Sequence, residues 1–130
     1  MSEKSKILVV EDNDFVRMQI VRYLIDAGHD VCEAVEGGEA IEMAKTTEVD
    51  LAVVDVRMEP VDGFEFIRAL RGMDIQIPVI LATGDNSPDI LEKCAEWNVG
   101  AVLIKPVQKD RLVMAVERSL AMAKRKAVQS

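Results

Sequence analysis

The chain has 130 residues, 49% of them apolar and 30% charged, and carries a formal net charge of -7. A length of this order builds one core, so a single domain over 1–130 is expected, its core at about 6–122 between a short polar N-terminal end and a basic C-terminal end. The acidic balance argues against direct nucleic-acid binding, which relies on lysine and arginine to neutralise phosphates, and no apolar run approaches the ~18 residues of a membrane span.

The leading MSEKSK is polar and lacks the apolar stretch of a secretory signal, which makes the cytoplasm the expected compartment. Lys6–Val10, KILVV, reads as a first strand. Asn13–Ala27 follows as a helix with Val16, Ile20, Val21 and Leu24 on one face and Gly28 at its end. His29–Ala34 is a short, more polar strand, and His29, the sole histidine, is expected to be solvated next to Gly28. Gly38–Lys45 is a small helix with Ala40, Ile41 and Ala44 inward, and Leu51–Val54 a third strand. A helix over about Gly63–Arg71 precedes a strand at Pro78–Ala82, and a helix over about Ser87–Trp97, with Pro88 in its first turn, precedes a strand at Ala101–Ile104. A last helix starts near Lys109, and the cations of its AMAKRK run suit a helix C-terminus. Cys32 and Cys94 lie far apart without CxxC spacing or histidine neighbours and read as two free, buried thiols. Trp97 and the seven methionines read as core and partner-face filler.

Strict alternation of strands and helices predicts an α/β fold: a five-stranded parallel sheet with helices on both faces. The most apolar strands, one and three, belong in the middle and the polar second strand at an edge. The order 2-1-3-4-5 satisfies this with right-handed crossovers, and its switch point between strands one and three is where ligands bind, beyond the carboxyl ends.

What stands at those ends is chemically specific. Strand one runs out into Glu11 and Asp12, strand three into Asp55, strand four into Thr83, and strand five into Lys105 and Pro106. Two unit charges ~4 Å apart repel by about 4 kcal/mol at an effective dielectric near 20, so clustered carboxylates need a counter-charge. Oxygen ligands on loops suit Mg²⁺, which keeps several waters and commonly works beside a phosphate. With Lys105 as a second positive centre and Thr83 as a neutral donor, the set is an apparatus for stabilising a phosphoryl group.

Those residues resemble the receiver domain of a two-component response regulator, over essentially the whole chain. The resemblance rests on Glu11-Asp12 after KILVV, Asp55 with Met58 and Gly63 following it, Thr83 after VILA, and Lys105-Pro106 after AVLI. It implies a flavodoxin-like receiver fold in which Asp55 accepts a phosphoryl group from a histidine kinase or phosphotransfer protein. The chain would then catalyse only its own phosphorylation and dephosphorylation. Glu11, Asp12, Asp55 and the main-chain carbonyl of Arg57 would hold Mg²⁺, Lys105 would pair with a phosphoryl oxygen, and Thr83 would swing in to bond the product. A cis Lys105–Pro106 bond would aim the lysine inward. The switched surface of helix four, strand five and helix five would meet a downstream protein target, in a monomer or weak dimer.

The sequence also departs from the family pattern. Glu59 stands four positions after Asp55, where proline is usual, with Pro60 one later, and Val107 stands where phenylalanine often follows the Lys-Pro pair. Val102, three before Lys105, replaces the usual tyrosine or phenylalanine switch, so the readout is expected at Gly84–Pro88, where Gly84 permits a large dihedral change. By the resemblance, Arg57 and Asp85 hold the positions that in this family flank the path of the hydrolytic water, and their opposite charges could pair across it. Other readings compete. A flavin module of this topology would need a small-residue phosphate loop where EDND stands, and a phosphatase with an Asp-x-Asp motif would use Asp12-Asn13-Asp14 but leave Asp55 unexplained. The sequence ends one helix after strand five, which favours a stand-alone receiver over the receiver fragment of a longer regulator.

Overall fold

The computed structural model describes residues 4–58, 61–84, 88–97 and 99–129. Among them the order is β1 (Lys6–Val10), α1 (Asp14–Asp26), β2 (Asp30–Ala34), α2 (Gly37–Thr46), β3 (Leu51–Asp55), α3 (Gly63–Gly72), β4 (Val79–Thr83), α4 (Pro88–Glu96), β5 (Ala101–Ile104) and α5 (Lys109–Gln129). The strands form one sheet, β2-β1-β3-β4-β5, parallel at every pairing. This is the expected fold and strand order.

The sheet is buried on both sides because each strand sends alternate residues to opposite faces. Leu8, Val10, Ala52, Val54, Val79 and Leu81 meet Phe66, Ile67 and Leu70 of α3 on one face. Ile7, Val9, Leu51, Val53 and Ile80 meet Ile20 and Leu24 of α1 and Leu112 and Val116 of α5 on the other. The polar strand β2 lies at one edge, with Asp30 and Glu33 exposed. Cys94 is buried and Cys32 only half-buried; both are free, and desolvation pushes both thiols up.

Helix termini follow local chemistry. Asn13 caps α1, its Oδ1 accepting from the Val16 amide at 2.9 Å. Asp62 and Glu65 form a capping box at α3, with the Glu65 amide donating to Asp62 Oδ1 at 2.8 Å and the Asp62 amide to Glu65 Oε1 at 3.4 Å. Gly28 ends the turn after α1 at φ 94°, a left-handed conformation that other residues adopt at a cost.

The expectation of a solvated His29 is wrong. Its side chain is 8% exposed, and Nε2 lies 3.0 Å from Glu117 Oε1. The turn at Gly28 brings the ring to the flank of α5, which packs against the same sheet face as α1. Lys109 Nζ, 3.7 Å from Asp26 Oδ2, ties α5 to the end of α1 itself.

Helices α3 and α4 are joined by a reciprocal pair of cation–ring contacts. The Arg68 guanidinium lies 5.7 Å from the centre of the Trp97 ring and the Lys93 ammonium 5.4 Å from that of Phe64. The first residue of α3 abuts the end of β3: a Cβ added to Gly63 would stand 2.9 Å from the Asp55 carbonyl oxygen and 3.1 Å from Val56 Cα. Backbone atoms cannot step aside as a flexible side chain can. Gly63→Ala is therefore expected to destabilise the fold by about 1–3 kcal/mol, read as a lower urea midpoint. An unchanged midpoint would show that the β3–α3 connection has slack.

Candidate functional site

The strand ends converge as the sequence suggests, with one refinement. Both β3 and β4 run one residue further than their apolar stretches, because Asp55 still pairs with Ala82 and Thr83 with Ile104. The ladder continues through the Val56 amide, which donates to the Ala82 carbonyl at 3.0 Å, and the Lys105 amide, which donates to the Thr83 carbonyl at 2.8 Å. Asp55 and Thr83 thus sit on the sheet itself. Both are buried, at 6% and 1% exposure.

Glu11 follows β1 and is 1% exposed, a burial that a lone carboxylate does not tolerate. Its partner is Lys105, whose Nζ lies 2.7 Å from Glu11 Oε1 and 3.2 Å from Asp55 Oδ1. Partial burial pulls the half-buried lysine's pKa down, but its hydrogen bond to Glu11 and the charges of Asp55 and Glu11 outweigh it, leaving the group above its usual 10.5. The ammonium is therefore fixed in its charged form. Lys105–Pro106 is a cis peptide, as the resemblance implied, and Pro106 is exposed.

One ammonium does not balance what surrounds it. Carboxylate oxygens of Glu11, Asp12 and Asp55 all lie within 4.8 Å of one another. Asp12 is exposed, yet its carboxyl is raised above the ordinary 3.8, first by partial desolvation and then by its hydrogen bond to Glu11 and that residue's charge. An all-oxygen, electron-rich cluster of this kind fits a hard divalent cation such as Mg²⁺. After β3 the chain folds back over Asp55, the Arg57 amide donating to Asp55 Oδ1 at 3.3 Å while the Arg57 side chain stays exposed.

Residues 7–117 match the response regulator receiver domain. The chain belongs to that family. This receiver domain is 28% identical over 116 residues to the chemotaxis protein CheY of Bacillus subtilis, covering 88% of this chain and 97% of that one. It is 32% identical over 114 residues to the CAI-1 autoinducer sensor kinase/phosphatase CqsS of Vibrio cholerae, covering 85% of this chain and 17% of that protein. The chain thus spans nearly all of one curated relative and a small part of another. Among solved structures, the chemotaxis protein CheY4 of Vibrio cholerae superposes with a TM-score of 0.85 at 28% identity, covering 90% of this chain and 99% of that one.

Other expected site residues of this receiver domain are placed unequally. Val102 is half-buried against the core face that α3 also covers, and Val107 is buried. Gly84 is exposed, without a left-handed φ, and among the described residues no atom stands near enough to obstruct a Cβ. Asp85, Glu59 and Pro60 lie outside the described residues, so the expected Arg57–Asp85 pairing does too. The Asp-x-Asp alternative loses its geometry: Asn13 is spent on capping α1, and Asp14 turns to Arg17 at 2.7 Å.

Arg17 is the residue that the sequence reading passed over. Its guanidinium reaches the Glu11 carbonyl oxygen at 2.8 Å, Asp14 Oδ1 at 2.7 Å and Glu33 Oε1 at 3.0 Å, with the side chain 12% exposed. The available signal was its position. A cation in the opening turns of a helix runs against the helix dipole and needs a reason to be there.

Proposed function

We propose that Asp55 is the phosphoacceptor of a two-component signalling receiver, loaded by a histidine kinase or phosphotransfer protein in the cytoplasm. The observation that carries this reading is Lys105 Nζ bridging Glu11 and Asp55, at 2.7 and 3.2 Å, beside a third carboxylate. A carboxylate nucleophile needs no general base. An Asp55 oxygen attacks the phosphorus, the phosphorus–nitrogen bond of the donor phosphohistidine breaks, and the product is an acyl phosphate on Asp55 and a free imidazole. Asp55 is held for attack by its strand pairing and by the Arg57 amide. Lys105, already charged and pinned, exchanges its carboxylate partner for a phosphoryl oxygen. Glu11, Asp12, Asp55 and the Arg57 carbonyl would hold Mg²⁺, which when bound offsets charge on the transferring phosphoryl group.

The Thr83 hydroxyl, at the end of β4, is the group that registers the product. Its movement toward a phosphoryl oxygen shifts the segment leading from Gly84 into α4, and the surface of α4, β5 and α5 then meets a downstream protein. Val102 leaves no aromatic to rotate between buried and exposed states, so the readout falls to the stretch from Gly84 to Pro88. The small share of the sensor kinase/phosphatase relative that the chain spans favours, as a second reading, the same chemistry within a longer regulator.

Incubation with acetyl phosphate and MgCl₂ tests the proposal by intact-mass spectrometry. One phosphoryl adduct is expected, lost on treatment with hydroxylamine as an acyl phosphate is. A chain that stays unmodified under these conditions, or an adduct that survives hydroxylamine, would remove the phosphoacceptor role.

A further inference from the structure

We infer that Arg17 is a positioning residue for the cation pocket, fixing the Glu11–Asp12 peptide so that the Asp12 carboxylate is presented to Mg²⁺; this rests on the functional reading above. The geometry is that of a clamp on one peptide plane. The carbonyl of Glu11 and the amide of Asp12 belong to the same rigid unit, so a bond to the first fixes the N–Cα bond from which the Asp12 side chain departs. Arg17 Nη1 supplies that bond at 2.8 Å. The other side of Glu11 is held by its own amide, which donates to the Ala34 carbonyl at 3.2 Å, and its side chain is held by Lys105 at 2.7 Å. Asp12, by contrast, is exposed and meets the neighbouring Glu11 carboxylate, so its orientation depends on how the Glu11–Asp12 peptide is held.

The clamp is itself anchored. A guanidinium presents its donors in one plane, and here Nη2 meets Asp14 on α1 while Nε meets Glu33 on β2. Three bonds to three separate elements leave the fork little freedom to turn. Asp14 and Glu33 also offset the charge that Arg17 brings toward the pocket, so the guanidinium acts there mainly by donor geometry.

This assignment and simple electrostatics predict effects of opposite sign. Removing a cation next to three carboxylates should tighten Mg²⁺ binding if charge alone counts. Loss of the clamp should weaken it, by about tenfold or more, as replacing groups that orient metal ligands commonly does. The experiment is calorimetric titration of the full chain with MgCl₂, for the parent and Arg17→Gln, with circular dichroism and a urea midpoint to establish folding. Weaker binding by folded Arg17→Gln is expected. Arg17→Lys keeps the charge but loses the planar fork, so it too is expected to bind more weakly, and it carries the test if Arg17→Gln does not fold. Unchanged or tighter binding in the folded variant overturns the inference alone. Failure of the parent to bind Mg²⁺ overturns the functional reading and the inference together.

Discussion

Asp55→Asn is expected to accept no phosphoryl group from acetyl phosphate, with the fold and its urea midpoint close to those of the parent. The amide nearly matches the carboxylate in shape, so packing at this buried strand end survives. What is lost is the nucleophile. An amide oxygen is a poor one, and the nearby acids are otherwise engaged: Glu11 is bound to Lys105 at 2.7 Å, Asp12 shares the cation cluster, and Asp14 is paired with Arg17 at 2.7 Å. Asparagine can still accept from the Arg57 amide, as Asp55 Oδ1 does at 3.3 Å. Intact-mass spectrometry after incubation with the donor distinguishes the outcomes, and undiminished labelling of the variant would move the chemistry to another residue.

Asp12→Ala should remove most Mg²⁺ binding while stabilising the metal-free protein at neutral pH. Both effects come from one environment. Because the Asp12 carboxyl is raised in the fold, its ionised form is disfavoured there relative to the unfolded chain, where it titrates near the ordinary 3.8. The metal-free fold consequently loses stability as pH rises from about that value through the raised one, and the loss stays constant above it. Alanine takes that loss away. Mg²⁺ bound to the native state would stabilise the parent, so its urea midpoint should climb with MgCl₂ whereas that of the variant should barely move. A variant that still responds to MgCl₂ as the parent does would place the cation outside the Glu11–Asp12–Asp55 cluster.

The parts of the fold legible in the sequence were those governed by burial on two faces. ILVV, LAVV and VILA are continuous apolar runs because a parallel sheet between two helical layers has no wet side, and the polar DVCEA was legible as an edge for the converse reason. The acids, threonine and lysine stood out because each interrupts such a run where the strand ends. Features that depend on partners distant in the chain were not visible. His29 looked solvated because Glu117, the residue that receives it, is 88 positions away. Arg17 looked like an ordinary polar position on α1, since nothing local reveals that Glu33 and the Glu11 carbonyl converge on its fork. Asp55 and Thr83 were placed just past their strands because an apolar run stops at a polar residue, whereas a ladder stops only where its neighbour does.

The reciprocal contacts between α3 and α4 give the molecule an optical property. Trp97 is the sole tryptophan, and a full positive charge stands 5.7 Å from the centre of its ring. The colour of indole emission follows the electric field along the ring, and that field falls steeply as the charge moves off the π face. The emission band therefore encodes how α4 is seated on α3, the helix whose first residue abuts Asp55. A shift of α4 would appear as a change of wavelength from one native fluorophore, so the proposed movement can be followed in real time without attaching a dye.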